Sequence, residues 1–173
     1  MNQKLIIFLL SFSIFIYFIS FGLPCGTLVL INYSPHLEFD YIQNLKVGDY
    51  IIACNFKNDW VNNKPHLYFS KIQKIKITKT NKYFSFNLSN CCFYLTEFER
   101  IYNATRKKFI FSSDINSQDE ILNHIGNKRK INATSIYTND NTINNYNLTL
   151  EDSNMFFIGD SSCNSILVNS KDN

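Results

Sequence analysis

The sequence predicts an all-β domain, and three observations predict it. Beyond residue 24 the apolar residues recur in short alternating runs, not in one long stripe of period 3.6. Each run is bounded by Asn, Asp, Ser, Gly or Pro, the residues that tolerate turns. Helical patterns are confined to two stretches of about two turns each. The chain has 173 residues, 45% hydrophobic and 18% charged. That is one domain's worth of sequence with too few charges for a disordered tail, and the domain is placed from about residue 25 to 170.

The first element is an address. One charge, Lys4, precedes Leu5 to Leu23, which carry none, as in the n-region and apolar h-region of a secretory signal. Ser20 and Gly22 are small residues at the spacing of a cleavage site after Gly22, so residues 1–22 read as a signal peptide. The run is also long enough to span a bilayer, and an uncleaved anchor is the alternative. Either way the expected location is the secretory pathway or the extracellular side, with membrane contact only through this segment.

The strands then follow as Leu28 to Ile31, Tyr50 to Ala53, Leu67 to Ile77, Tyr83 to Leu88, Cys92 to Leu95, Lys107 to Phe111, Ile131 to Tyr137, Tyr146 to Leu150 and Phe156 to Ile158. Hairpin turns are expected at Asn62 to Pro65, Thr80 to Lys82 and Asn139 to Asn141. The two short helical candidates are Leu95 to Tyr102 and Asp119 to Ile125. No internal repeat is visible in the sequence.

Charge excludes one class of function. Lys and Arg number 17 against 14 Asp and Glu, a net charge of +3. No five-residue block of like charge occurs, so nucleic-acid binding has no electrostatic footprint. Five cysteines, Cys25, Cys54, Cys91, Cys92 and Cys163, leave at least one outside any intramolecular disulfide. Adjacent Cys91 and Cys92 point to opposite faces of a strand. Neither C-x-x-C nor H-x-x-x-H spacing occurs, so no metal site is expected, and His36, His66 and His124 read as surface or loop residues. Asn87, Asn103, Asn132 and Asn147 each begin an N-x-S/T glycan acceptor, as does Asn32, whose Ser34 is followed by Pro35.

Three stretches in order resemble the Hint family, the self-processing fold of inteins, bacterial intein-like domains and hedgehog C-terminal domains. The first is Cys25-Gly26-Thr27-Leu28-Val29-Leu30 with Ile42, Leu45, Gly48-Asp49 and Ala53, similar to a strand headed by a nucleophilic Cys and an I-x-x-L-x-x-G-D segment. The second is Leu95-Thr96-Glu97-Phe98-Glu99, at the place of L-T-x-x-H. The third is Tyr146-Asn147-Leu148-Thr149-Leu150-Glu151 followed by Phe157-Ile158-Gly159 and Ile166-Leu167-Val168-Asn169-Ser170, similar to the family's Y-N-L-T-V-E run and its closing V-L-V-H-N.

The resemblance implies an all-β horseshoe and self-processing of the chain's own polypeptide, with no cofactor. Cys25 would attack the carbonyl before it and form a thioester, because thiolate sulfur is nucleophilic near neutral pH. Thr96 would orient the scissile amide, and the residue at Glu99 would protonate the leaving nitrogen. Asn169 with Ser170 would form the C-terminal junction. The family carries His where this chain has Glu99 and Asn154. In one register Asn169 stands at the penultimate His and Ser170 at the terminal Asn; in a register shifted by one, Asn169 cyclises and Ser170 is the acceptor. A solvated carboxylate titrates near about 4.3, so Glu99 serves as an acid only if burial keeps it protonated. Only the apolar segment and Pro24 precede Cys25, and few residues follow Asn169, so little cargo is expected. A second reading follows: a Hint-fold binding or structural module that has lost catalysis.

Overall fold

The computed structural model describes residues 22–33, 36–55, 65–88, 91–159 and 165–169. They form twelve strands: β1 (Leu23–Pro24), β2 (Leu28–Asn32), β3 (Glu38–Tyr41), β4 (Tyr50–Asn55), β5 (His66–Leu88), β6 (Cys91–Leu95), β7 (Arg100–Asn103), β8 (Lys108–Phe111), β9 (Glu120–Leu122), β10 (Lys128–Leu150), β11 (Met155–Gly159) and β12 (Ser165–Asn169). Two 3-10 turns, Ile42–Asn44 and Ser112–Asp114, interrupt them, and no α-helix occurs among the described residues. The all-β expectation holds.

The expected helices are strands and turns instead. Leu95 to Tyr102 divides into the end of β6, a turn closed by Glu99 N–H donating to the Thr96 carbonyl at 3.1 Å, and β7. In β7, Ile101 faces Val168 of β12 on one side and Ile110 of β8 on the other. A strand buried on both sides reads as a short continuous apolar run, which periodicity alone does not separate from helix. Asp119 to Ile125 similarly becomes β9 and a turn.

Two of the expected hairpins are also absent. Thr80 to Lys82 lies inside β5 and Asn139 to Asn141 inside β10, each strand running 23 residues. The two strands pair with each other antiparallel along most of their length, with the register shifting between Thr138 and Ile143. Their polar midsections meet turn composition rules, yet Thr138 pairs with Lys82 and Ile143 with Thr80, so residues 139–142 form an irregularity opposite Asn81 and the ladder resumes without a reversal. The third expected turn, Asn62 to Pro65, lies outside the described residues apart from Pro65; its flanking strands β4 and β5 do pair antiparallel, with Asn55 opposite His66.

The structure reveals a repeat that the sequence hides. Pro24 to Ile51 and Thr96 to Ile121 trace matching paths. Thr27 N–H donates to the Pro24 carbonyl and Glu99 N–H to the Thr96 carbonyl, both at 3.1 Å. The carbonyls of Thr27 and Glu99 accept from Ile42 N–H and Ser112 N–H, both at 2.8 Å. Asp49 Oδ2 then accepts from Lys46 N–H at 2.8 Å, and Asp119 Oδ2 from Asn116 N–H at 3.1 Å. Each half ends in one long strand, β5 or β10. Most of these bonds are backbone to backbone, so residue identity is free to drift apart between the halves.

The halves close over a core that includes Leu23, Val29, Ile51, Phe86, Leu95, Ile101, Phe156 and Val168. Phe86 and Phe93 stack with ring centroids 5.6 Å apart. A smaller cluster joins Leu30, Ile52, Cys54, Phe157 and Leu167 on the other side of the sheet.

Candidate functional site

The two equivalent turns bring the first described residues against the middle of the chain. On the Thr96 to Glu99 turn both end residues are buried, Thr96 1% and Glu99 2% exposed. Ser112 clamps the turn: its N–H donates to the Glu99 carbonyl and its hydroxyl to the Thr96 carbonyl. Glu99 Oε2 accepts a buried hydrogen bond, 3.1 Å long, from the backbone N–H of Gly22. The Thr96 hydroxyl is buried with no hydrogen-bond partner among the described residues.

Gly22 fits this place because it lacks a side chain. Its φ is +124°, and a Cβ there would lie 3.0 Å from the Tyr146 carbonyl oxygen. The chain then enters β1, where Leu23 pairs with Tyr146 and Pro24 with Asn145. Asn145 is fully buried.

Cys25, the thiol singled out from the sequence, follows three residues after Gly22. It is exposed and reduced. Its N–H donates to the Asn144 carbonyl at 2.9 Å, and the Pro24 carbonyl accepts from Thr27 N–H at 3.1 Å. Its own peptide bond is therefore held at both ends by backbone partners. The thiol lines a cleft of about 370 Å³ whose walls include Tyr83, Cys92, Tyr94, Tyr137 and Ile143. Thr96, Glu99 and Asn169 are not among the residues lining it.

Asn169 ends β12 opposite Met155 of β11 and Arg100 of β7. That register brings the strand end beside the residue that follows Glu99. Ser170 lies outside the described residues, as does Cys163. The structure thus sets Glu99 on the Gly22 amide, Thr96 at the other end of the same turn and Asn169 opposite Arg100, and it places Cys25 on a cleft that none of these three lines. Gly22 was visible in the sequence only as a small residue at a cleavage position, and nothing there signals its contact with Glu99.

The remaining titratable groups are placed as follows. His36 and His66 are exposed. His124 is half-buried, its Nδ1 2.7 Å from the Ser165 hydroxyl, which also accepts from His124 N–H at 3.0 Å. Burial lowers the imidazole pKa below its usual value. The sequence did not anticipate this pair, because His124 and Ser165 lie far apart along the chain. Burial pushes the Cys54 thiol up to about 12. Cys91 packs against the core and Cys92 is exposed, on opposite faces of β6. Among the described residues no three His, Cys, Asp or Glu groups come together as a metal site.

This backbone is that of the intein and bacterial intein-like domains, the Hint fold. The match to the bacterial intein-like domain from Clostridium thermocellum has a TM-score of 0.73 at 19% identity, covering 87% of this chain and 99% of that one. A DnaB intein from Synechocystis sp. PCC 6803 matches with a TM-score of 0.67 at 14% identity, over 88% of this chain and 100% of the other. A splice-inactive variant of the AceL NrdHF class 3 split intein matches at 0.68 and 12% identity, over 88% of this chain and all of that one. No family model matches the sequence, and no curated protein does.

Proposed function

We propose that this chain is a Hint-fold module that no longer splices, kept as a binding or structural domain on the lumenal or extracellular side of a membrane. One observation carries the reading: the buried Glu99 carboxyl engages the amide of Gly22, which has no side chain to attack with. Self-processing needs a nucleophile on the residue whose amide nitrogen receives the proton. The thiol present, Cys25, has its own N–H committed to the Asn144 carbonyl. Acid and nucleophile therefore serve different peptide bonds. The apolar, uncharged segment before Gly22 supports the proposed location.

A second reading keeps activity: Cys25 forms the thioester, Glu99 donates the proton, Thr96 orients the amide, and Asn169 with Ser170 resolves the C-terminal junction. It is favoured by the register that sets Asn169 opposite Arg100, next to Glu99. The substrate would be the chain itself and the reaction a single turnover without cofactor.

Intact mass of the purified chain, with and without dithiothreitol or hydroxylamine, separates the two. The inactive module gives the same masses in every condition, and Cys25→Ala differs from it only by the sulfur atom that the substitution removes. Thiol-dependent cleavage before residue 25 that Cys25→Ala abolishes would overturn the proposal in favour of the second reading.

A further inference from the structure

The five N-x-S/T acceptors are chemically alike in the sequence, and the fold separates them. Asn103 is fully buried in β7, and its side-chain oxygen accepts from Arg106 N–H at 2.8 Å. Asn147 is 4% exposed within β10. The Asn32 side chain caps the next residue, Tyr33 N–H donating to its Oδ1 at 2.9 Å. The hydroxyl residues of the Asn32 and Asn87 acceptors lie outside the described residues.

Asn87 is exposed but sits in the ladder between Ala133 of β10 and Cys92 of β6. Asn132 is exposed as well, and so is Ala133 behind it. Ile131 pairs with Leu88 and Ala133 with Asn87, so Asn132 is the extra residue of a bulge with no counterpart across the ladder. Bulged residues re-aim their side chains away from the sheet. The pairing of β10 with β9 ends at Lys130. From Ala133 to Thr138 β10 pairs with β5 alone among the described strands and its other edge is open; β1 joins that edge only at Asn145 and Tyr146.

We infer that Asn132 is an N-glycosylation site, carrying a glycan on the open edge of the long β5–β10 ribbon. The inference rests on the lumenal reading above. In the transfer step the Asn132 amide nitrogen bonds to the anomeric carbon of a lipid-pyrophosphate-linked oligosaccharide. The carbon–oxygen bond to the pyrophosphate breaks, the lipid pyrophosphate leaves with that electron pair, and the amide gives up one proton. Thr134 supplies the hydroxyl that the acceptor pattern requires. A glycan here would also cover backbone groups that could otherwise template edge-to-edge pairing. Asn103 and Asn147 could carry one only at the expense of the core.

The test is expression of the full chain in a secreting eukaryotic cell, followed by peptide N-glycosidase treatment in heavy-oxygen water and peptide mass mapping. The expected result is an isotope-marked Asp at position 132, lost in both Asn132→Gln and Thr134→Ala, with positions 103 and 147 unmarked. A second form in which a well-characterised cleavable signal replaces residues 1–21 separates the two premises. A mark at 132 in that form alone supports the acceptor site while removing the lumenal reading. No mark in either form, or a mark at 103 or 147 of folded protein, overturns the inference.

Discussion

Replacing Gly22 with Ala probes the contact on which the functional reading turns. At φ +124° an L side chain is strained, which costs about 1–3 kcal/mol. The new methyl would stand 3.0 Å from the Tyr146 carbonyl oxygen and 3.1 Å from its carbon, both backbone atoms that β1 pairing holds in place. Relief requires the Gly22 backbone to retreat, which stretches its 3.1 Å bond to Glu99. Losing that bond adds about 1 kcal/mol. The expected total is about 2–4 kcal/mol, a fall in Tm of roughly 5–15 °C for a chain of this size. Gly26→Ala is the control: its φ is +93°, yet nothing lies within 4 Å of the added Cβ. That variant isolates the backbone term, about 1–2 kcal/mol. Thermal unfolding followed by far-ultraviolet circular dichroism measures both, alone and combined with Glu99→Gln. Equal losses for the two glycine variants, or perfect additivity of Gly22→Ala with Glu99→Gln, would refute the argument that Glu99 and Gly22 form one unit.

Three further outcomes follow from the placement of titratable groups. His124 is half-buried with its pKa lowered, so its stabilisation is full above about pH 6.5 and is lost as pH falls through the lower folded-state value. Tm should drop across that acid window, and His124→Phe should flatten the drop. Burial raises the Tyr83 phenol to about 12, while its O–H donates to the Thr80 carbonyl at 2.9 Å. Its contribution is therefore full below the unfolded value of about 10 and fades toward pH 12, and Tyr83→Phe should cost about 1 kcal/mol at neutral pH by chemical denaturation. Iodoacetamide at pH 8 should modify Cys25 and Cys92 and spare Cys54, whose thiol is buried and held near 12; peptide mass mapping gives the order.

How much of this was legible in the sequence depended on which forces shaped each residue. Strands with one wet face, such as β6 with Phe93 and Leu95 inside and Cys92 and Tyr94 outside, were read correctly. Of the strands buried on both faces, β4 and β11 are legible as strands, whereas β7 reads as helix and β12 is absent from the expected strands. The long ribbon reads as cut in two places, because composition registers Asn and Lys but not the register shift across which the ladder resumes, Thr138 with Lys82 and Ile143 with Thr80. Thr96, Glu99 and Asn169 are visible through motif spacing; the fold puts Thr96 and Glu99 on one turn and Asn169 opposite Arg100. The Gly22 contact is not visible, since a backbone amide leaves no mark on residue identity. The same holds for the twofold repeat, which resides mostly in main-chain hydrogen bonds.

That division also bears on Thr96, where the fold and the chemistry make opposite demands. Its hydroxyl is buried without a partner among the described residues, an arrangement that costs about 1–3 kcal/mol relative to a satisfied or apolar group. The turn itself needs nothing from that oxygen: Glu99 N–H and the Ser112 hydroxyl both bond to the Thr96 backbone carbonyl. Valine has nearly the same shape without the polar atom, so Thr96→Val should stabilise the domain, by about 1 kcal/mol or roughly 2–4 °C in Tm. Thermal unfolding decides it. A loss of stability would mean that the hydroxyl has a partner in the folded chain, such as a held water. A gain would identify it as a group the scaffold tolerates without using.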